Sequence, residues 1–208
     1  MRVIIFGSTG RTGKYLIQYA LEEGHEVTAF ARIPDAISIH HPRLKVFQGD
    51  ATREEDVDAA MASGQDAVLF AVGTDLGQTN LRQTAMKNII DAMKKYHVKR
   101  IVGIGGMGIL QASEDHMIFE GPDFPEEYIP VSQDHYAAWQ ALLRSGLDFS
   151  FICPPNIPDG PFTGKYIVQE TFPPDGKFLI DTADLAHFMV KELSESKFSG
   201  KRVGITAV

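Results

Sequence analysis

Six short apolar runs, RVIIF, EVTAFA, LKVFQ, AVLFAV, RIVGIG and FSFIC, punctuate the chain between Arg2 and Cys153. They are apolar at nearly every position rather than every second one, the pattern of parallel strands buried on both faces beneath helices. The intervening segments agree. Thr12–Glu23 carries Leu16, Ile17, Ala20 and Leu21 at helical spacing, with Gly24 as a stop. Glu54–Ala62, Leu81–Lys95 and Gln133–Arg144 are similar, the last ended by Ser145 and Gly146. Alternation of strand and helix predicts an α/β fold with a doubly wound, mostly parallel sheet. A length of 208 residues suits one such domain, spanning 1–208.

Two stretches break the alternation. Residues 111–131, including EGPDFPEEYIP, hold prolines and few periodic apolar positions, and long loops in compact domains are commonly lids. Past Cys153, residues 154–180 contain KYIVQE and KFLI on either side of a PPDG turn, which predicts a hairpin on the substrate side. Asp181 or Thr182 then caps a last helix through about Leu193, and KRVGITA is expected as an edge strand.

Composition narrows the classes of function. The net charge is −7 and the basic residues are dispersed, which argues against a nucleic-acid partner. No window approaches the roughly 20 apolar residues of a membrane span, and no basic segment, apolar run and cleavage site open the chain, so a cytoplasmic protein is expected. Cys153 is the only cysteine, inside an apolar run, which excludes an intrachain disulfide. The pair His40–His41 has no carboxylate or cysteine at ligand spacing, so no metal site is expected.

The first strand runs into IFGSTGRTG and then a helix. In that context Gly7 serves the tight turn, Gly10 the close approach of a pyrophosphate, and Gly13 the packing of helix on strand: a dinucleotide site of the Rossmann kind. A carboxylate at the end of the second strand would bind the ribose 2′-hydroxyl of NAD. Here that strand ends in Arg32, and the nearest acid, Asp35, follows Pro34. Arginine can pair with a 2′-phosphate by charge-assisted bidentate bonds, so NADP(H) is the expected cofactor, with Arg11 a second candidate for the same phosphate. Ligands in such sheets lie outside the carboxyl ends of the strands. Gly49-Asp50-Ala51, Ala71-Val72-Gly73, Ile104-Gly105-Gly106 and Pro154-Pro155-Asn156-Ile157 follow strands three to six, the last beside the expected nicotinamide.

Taken together, IFGSTGRTG, the strand-end Arg32, GQDAVLFAVGT, Asp134-His135, LRSGLDFSFICPPNI, GPFTGKY and DLAHFMV resemble the atypical, NmrA-like group of short-chain dehydrogenase/reductases. Within it the likeness is to the flavin and biliverdin-IXβ reductases, over nearly the whole chain. The resemblance implies a monomeric NADPH-dependent reductase whose planar acceptor, a flavin such as FMN or riboflavin, a biliverdin or a quinone, stacks over the nicotinamide. It implies cofactor contacts at Gly7, Thr9, Gly10, Arg11, Thr12, Gly13, Arg32, Asp50, Ala51, Ala71, Val72, Gly73, Ile104, Gly105, Gly106, Pro154 and Asn156. Three positions depart from that pattern: Gly106 stands where those reductases carry a serine, Asn156 where they carry a histidine, and Glu126-Glu127 where their lid carries an arginine.

Hydride transfer is chemistry the cofactor brings, so the protein must chiefly position the acceptor. Three residues are candidates for the catalytic side: His135 as a donor, Tyr136, and Asn156 as a hydrogen-bonding partner of nicotinamide or substrate. Tyr136 is followed four residues on by Gln140 rather than the lysine of a Tyr-x-x-x-Lys pair, which disfavours carbonyl reduction by that route and favours an acceptor that solvent can protonate. Met107, Leu110 and Tyr128 are available as an apolar wall, with Ile109 and Trp139 expected in the core. The same scarcity of acids and bases leaves a second reading open, a non-catalytic NADP(H) sensor.

Overall fold

A computed structural model of the chain describes residues 1–73 and 79–208. Thr74, the last residue of the GQDAVLFAVGT stretch, lies outside the described residues. The first strand, β1 (Arg2–Phe6), is central, flanked by β2 (Glu26–Ala31) and β4 (Ala67–Phe70). β3 (Leu44–Gln48) lies beyond β2, while β5 (Arg100–Ile104), β6 (Asp148–Cys153), β8 (Lys201–Ala207) and β7 (Tyr166–Glu170) continue past β4. The order β3-β2-β1-β4-β5-β6-β8-β7 is parallel throughout except for β7, which runs antiparallel to β8. Strand order therefore reverses between β1 and β4, and that switch point opens a crevice at the carboxyl ends of the strands.

Alternate side chains of β1 feed two cores, as the two-residue period of a strand requires. Val3 and Ile5 pack with Leu16, Ile17 and Ala20 of α1 (Arg11–Glu22) and Leu185, Ala186 and Met189 of α5 (Thr182–Glu195). Ile4 and Phe6 face the opposite way. Their layer holds Val57 and Met61 of α2 (Glu54–Ala62), Met86 and Ile89 of α3 (Leu81–Lys95), and Ala138 and Leu142 of α4 (Ile129–Leu143). The architecture is thus a three-layer Rossmann-like fold, with helices on both faces of one sheet.

Three expectations are corrected. KYIVQE and KFLI do not form a hairpin: β7 pairs instead with β8, Tyr166 opposite Ala207, while KFLI makes one isolated parallel bridge, Leu179 to Asn156. Nor is KRVGITA an edge strand. Val203 to Thr206 are buried, β8 is hydrogen-bonded on both sides, and β7 forms the edge. Gly204 permits this position, because a Cβ there would fall 2.7 Å from Pro174 Cδ. Lastly, α4 begins at Ile129 rather than Gln133, since proline is compatible with a first helical turn, where its missing N–H would have had no partner. The segment 111–128 is correspondingly shorter than the expected loop and carries short 3₁₀ turns at Ile118–Glu120 and Glu126–Tyr128. Among the described residues, no helix is long and apolar enough to cross a membrane.

Candidate functional site

The crevice is a cleft of about 600 Å³ running across the strand tips. One end is formed by Phe30, Ala31 and Arg32 after β2 and by Gly49 to Thr52 after β3. The middle is the turn Gly7, Thr9, Gly10, Arg11 and Thr12, and the far end holds Ala71, Val72, Gly73, Ile104, Gly105 and Ile157. Leu81 and Arg82 from the start of α3, and His135 from the middle of α4, complete the wall.

The turn has the form a pyrophosphate requires. Gly7 adopts φ +84°, and a Cβ there would stand 2.8 Å from Val72 N and closer still to the Ala71 carbonyl, so glycine lets the β1 and β4 tips approach. Gly13 is buried beneath the turn rather than in the cleft, where a Cβ would meet Ser8 O at 2.7 Å. Helix α1 opens at Gly10 with no side-chain cap and no acidic residue in its first turn, which leaves early N–H groups and the positive dipole end to an anion. Ser8, which sequence reading passed over, is buried and donates to Phe30 O at 2.7 Å, tying the turn to the end of β2. These features fit a dinucleotide phosphate.

Arg32 is exposed at the β2 tip and makes no ion pair within 4.0 Å among the described residues. Its field falls on Asp50. That carboxylate accepts the Thr52 N–H at 2.9 Å and the Thr52 hydroxyl at 2.8 Å, and these bonds, the backbone one foremost, hold it below the ordinary carboxylate range despite partial burial. Arg11 acts elsewhere, on Asp159 after β6. The Asp159 carboxylate also bridges Lys14 of α1 at 3.2 Å and the Thr182 hydroxyl at 3.0 Å, strapping the loop after β6 to both helices of that face. The two arginines thus act on carboxylates at separate places along the cleft.

The other end is built on a buried ion pair. Arg82 and Asp134 have side chains 7% and 1% exposed, with Nη1 to Oδ2 at 3.4 Å. Asp134 also accepts the backbone N–H of Arg82 at 3.0 Å and of Gln83 at 2.9 Å, capping the first turn of α3 from a neighbouring helix. Burial pulls the Arg82 guanidinium below its usual pKa, and Asp134 opposes that shift. Sequence reading overlooked Arg82. Its signal was there: it shares the apolar face of α3 with Ala85, Met86 and Ile89, at offsets of three, four and seven.

Next to this pair, His135 is buried and its imidazole is held well below the ordinary histidine pKa, first by burial and then by Arg82. Of the sequence candidates, Gly7, Thr9, Gly10, Arg11, Thr12, Arg32, Asp50, Ala51, Ala71, Val72, Gly73, Ile104, Gly105 and His135 line one cleft. Besides Gly13, four others are not in its wall. Gly106 lies against the His135 ring, and Pro154 is buried with its carbonyl accepting Met107 N–H at 2.9 Å. Asn156 is exposed and engaged through its backbone, its carbonyl accepting Ile180 N–H at 2.9 Å. Tyr136 packs between Phe119 and Trp139, with ring centroids 6.0 and 5.7 Å away, because its position on α4 faces the segment before that helix. Trp139 carries the Arg202 guanidinium 4.0 Å above its ring, and Arg202 reaches on to the Ile109 carbonyl and the Gln111 side chain. Among the described residues, no cluster of three or more His, Cys, Asp or Glu side chains could hold a metal ion.

Comparison with known proteins adds to this geometry. A family profile described as NAD(P)H-binding matches residues 7–196. YwnB of Bacillus subtilis, an uncharacterized protein, is 26% identical over 100% of this chain and 99% of its own. The solved structure of a Streptococcus pneumoniae "putative NADH-flavin reductase" superposes with a TM-score of 0.83 at 26% identity, covering 100% of both chains. A 3β-hydroxysteroid dehydrogenase/Δ5→4-isomerase of Mycobacterium tuberculosis is 40% identical over 73% of this chain, which spans only 45% of that relative's length.

Proposed function

The chain belongs to the NAD(P)H-binding family, and from that premise we propose that it is an NADPH-dependent reductase acting on a planar acceptor such as a flavin, a biliverdin or a quinone. One observation carries the choice of NADPH: the cleft-lining side chain at the tip of β2 is the exposed cation Arg32 rather than a carboxylate. A guanidinium there pairs with a 2′-phosphate, whereas a carboxylate would repel it. When bound, the reduced nicotinamide supplies a hydride. The residues of the turn, Thr12 and the open end of α1 would hold the phosphates. Gly73, where a Cβ would meet nothing within 4 Å among the described residues, sits at the β4 tip, on the side where a flat ring system would lie.

The acceptor class follows from the acids and bases in reach. Among the described residues of the cleft wall, the ionisable ones are Arg11, Arg32, Asp50, Arg82 and His135, and neither Tyr136 nor a lysine joins them. That inventory supports an acceptor whose reduced form takes its proton from water. The resemblance to flavin and biliverdin-IXβ reductases, and the kinship with the streptococcal protein, support the same class. Among the described residues the far end holds no proton-releasing group, which also favours a second reading, an NADP(H)-binding sensor without turnover.

The test is NADPH oxidation with riboflavin, FMN, biliverdin and menadione, beside binding of NADPH and NADH to the wild type and to Arg32→Asp. A charge-assisted pair contributes roughly 1.5–3 kcal/mol, so Arg32→Asp should weaken NADPH about ten- to hundredfold and NADH less than about threefold. Equal losses for both dinucleotides refute the role of Arg32. Tight NADPH binding with no turnover of any acceptor refutes the reductase and leaves the sensor.

A further inference from the structure

We propose that His135 is a neutral hydrogen-bond donor whose Nε2–H, set against the tip of β5, holds the carbonyl oxygen of the electron acceptor. The inference rests on the reductase reading above. It begins with Gly106, whose backbone is extended at φ −140° and ψ 149°, a conformation any residue adopts. Glycine is needed there for the ring: a Cβ would stand 3.0 Å from His135 Cδ2 and 3.4 Å from Nε2. The chain omits a side chain at a strand tip and seats an imidazole in its place.

The two ring nitrogens are in different surroundings. Nδ1 is buried and has no hydrogen-bond partner among the described residues, while Nε2 is the nitrogen left unsealed where His135 lines the cleft. The field of Arg82 falls on this ring. No acceptor among the described residues stands at Nδ1 to receive an N–H, whereas at Nε2 an N–H meets the cleft. The proton therefore resides on Nε2. Burial and the Arg82 charge keep the imidazole neutral. Among the described residues, the other ionisable groups of neighbouring elements do not reverse this: Asp134 is engaged with Arg82 and the start of α3, and the Cys153 thiol of β6, beneath the β5 tip, is kept protonated by burial.

A neutral imidazole holds its proton at neutral pH, so His135 donates a hydrogen bond and does not transfer a proton. Flavins, quinones and bilin lactams all carry a ring carbonyl that gains negative charge when the ring accepts a hydride. A preorganised donor in a water-poor wall stabilises that charge. The proton that then neutralises the oxygen comes from water, and His135 ends the cycle as it began.

The experiment uses menadione with saturating NADPH, on the wild type, His135→Phe and His135→Gln, together with the imidazole nitrogen spectrum of the wild type. Phenylalanine keeps the ring and removes the donor; glutamine places an amide N–H near the position of Nε2. We expect kcat to fall about tenfold or more in His135→Phe and to return to within about threefold in His135→Gln, with NADPH affinity changed less than about twofold in both. The spectrum should show protonated Nε2 and bare Nδ1 from pH 6 to 8. Equal kcat in all three proteins, a proton on Nδ1, or titration of His135 within that range overturns the proposal. A wild type that turns over none of the acceptors defeats the reductase reading, and this inference with it; a wild type that turns over menadione while His135→Phe matches it defeats the inference alone.

Discussion

Replacing Asp134 with alanine should destabilise the domain by about 4 kcal/mol, a large share of the roughly 5–15 kcal/mol available to a folded domain. Two losses contribute. The N–H groups of Arg82 and Gln83, bonded to the carboxylate at 3.0 and 2.9 Å, would lose the cap of α3, and removing a helix cap costs about 1 kcal/mol. Among the described residues there is no substitute, because Asn80, at the N-cap position, sits at φ 67° and makes no side-chain cap bond. The Arg82 guanidinium, 7% exposed, would lose the Asp134 carboxylate, and breaking a buried pair from one side costs about 3–5 kcal/mol. The two losses share one carboxylate and are not simply additive, so the sum is taken near the middle of the larger range.

Urea unfolding followed by circular dichroism measures this directly. With a slope of about 2 kcal/mol per molar urea, the midpoint should fall by about 2 M. Asp134→Asn, which retains one carbonyl acceptor and loses the charge, should lie between. Asp58→Ala is the control: Lys95 Nζ lies 2.6 Å from Asp58, closer than the Arg82–Asp134 pair, yet the two side chains are 60% and 34% exposed. Solvent-exposed pairs contribute about 0–1 kcal/mol, so that midpoint should hardly move. If Asp134→Ala shifts the midpoint no further than Asp58→Ala, the argument that burial rather than distance decides the strength of these pairs is wrong.

Two further outcomes follow from the turn and from β6. Gly7→Ala combines left-handed strain with a Cβ 2.8 Å from Val72 N, so it should lose at least about 2 kcal/mol of stability and all measurable NADPH binding; a melting temperature within a degree or two of wild type would refute the close approach of β1 and β4. Burial pushes the Cys153 thiol up to about 12, so it should resist a disulfide reagent at pH 8 in the native protein and react promptly in urea; fast native labelling would show that β6 opens at its tip.

The sheet was legible because its central strands are apolar at consecutive positions, a pattern that depends on local sequence alone. The end of the cleft built on the glycine turn was legible for the same reason: Gly7, Gly10 and Arg32 stand near strand ends that the pattern locates. What escaped depends on residues far apart in sequence. Nothing in KRVGITA announces that β7 will pair on its far side, since its interior place depends on Pro174 and Phe172 meeting Gly204. Arg82 went unnoticed in the sequence because its burial depends on Asp134, which lies on another helix.

Of the three departures from the reductase pattern, the structure gives a cause for one. Gly106 reads in sequence as a lost functional side chain. In space it is the clearance for His135, so the change at one position is answered by the ring at the other. Asn156, exposed and outside the cleft wall, has no such counterpart. A site can therefore lose a polar side chain from a strand tip and keep a polar group at the same place, supplied from a helix. Judging the chemistry of this end from the strand-tip residues alone would miss the one group whose orphaned nitrogen, neighbouring cation and glycine clearance all bear on how it meets a ligand.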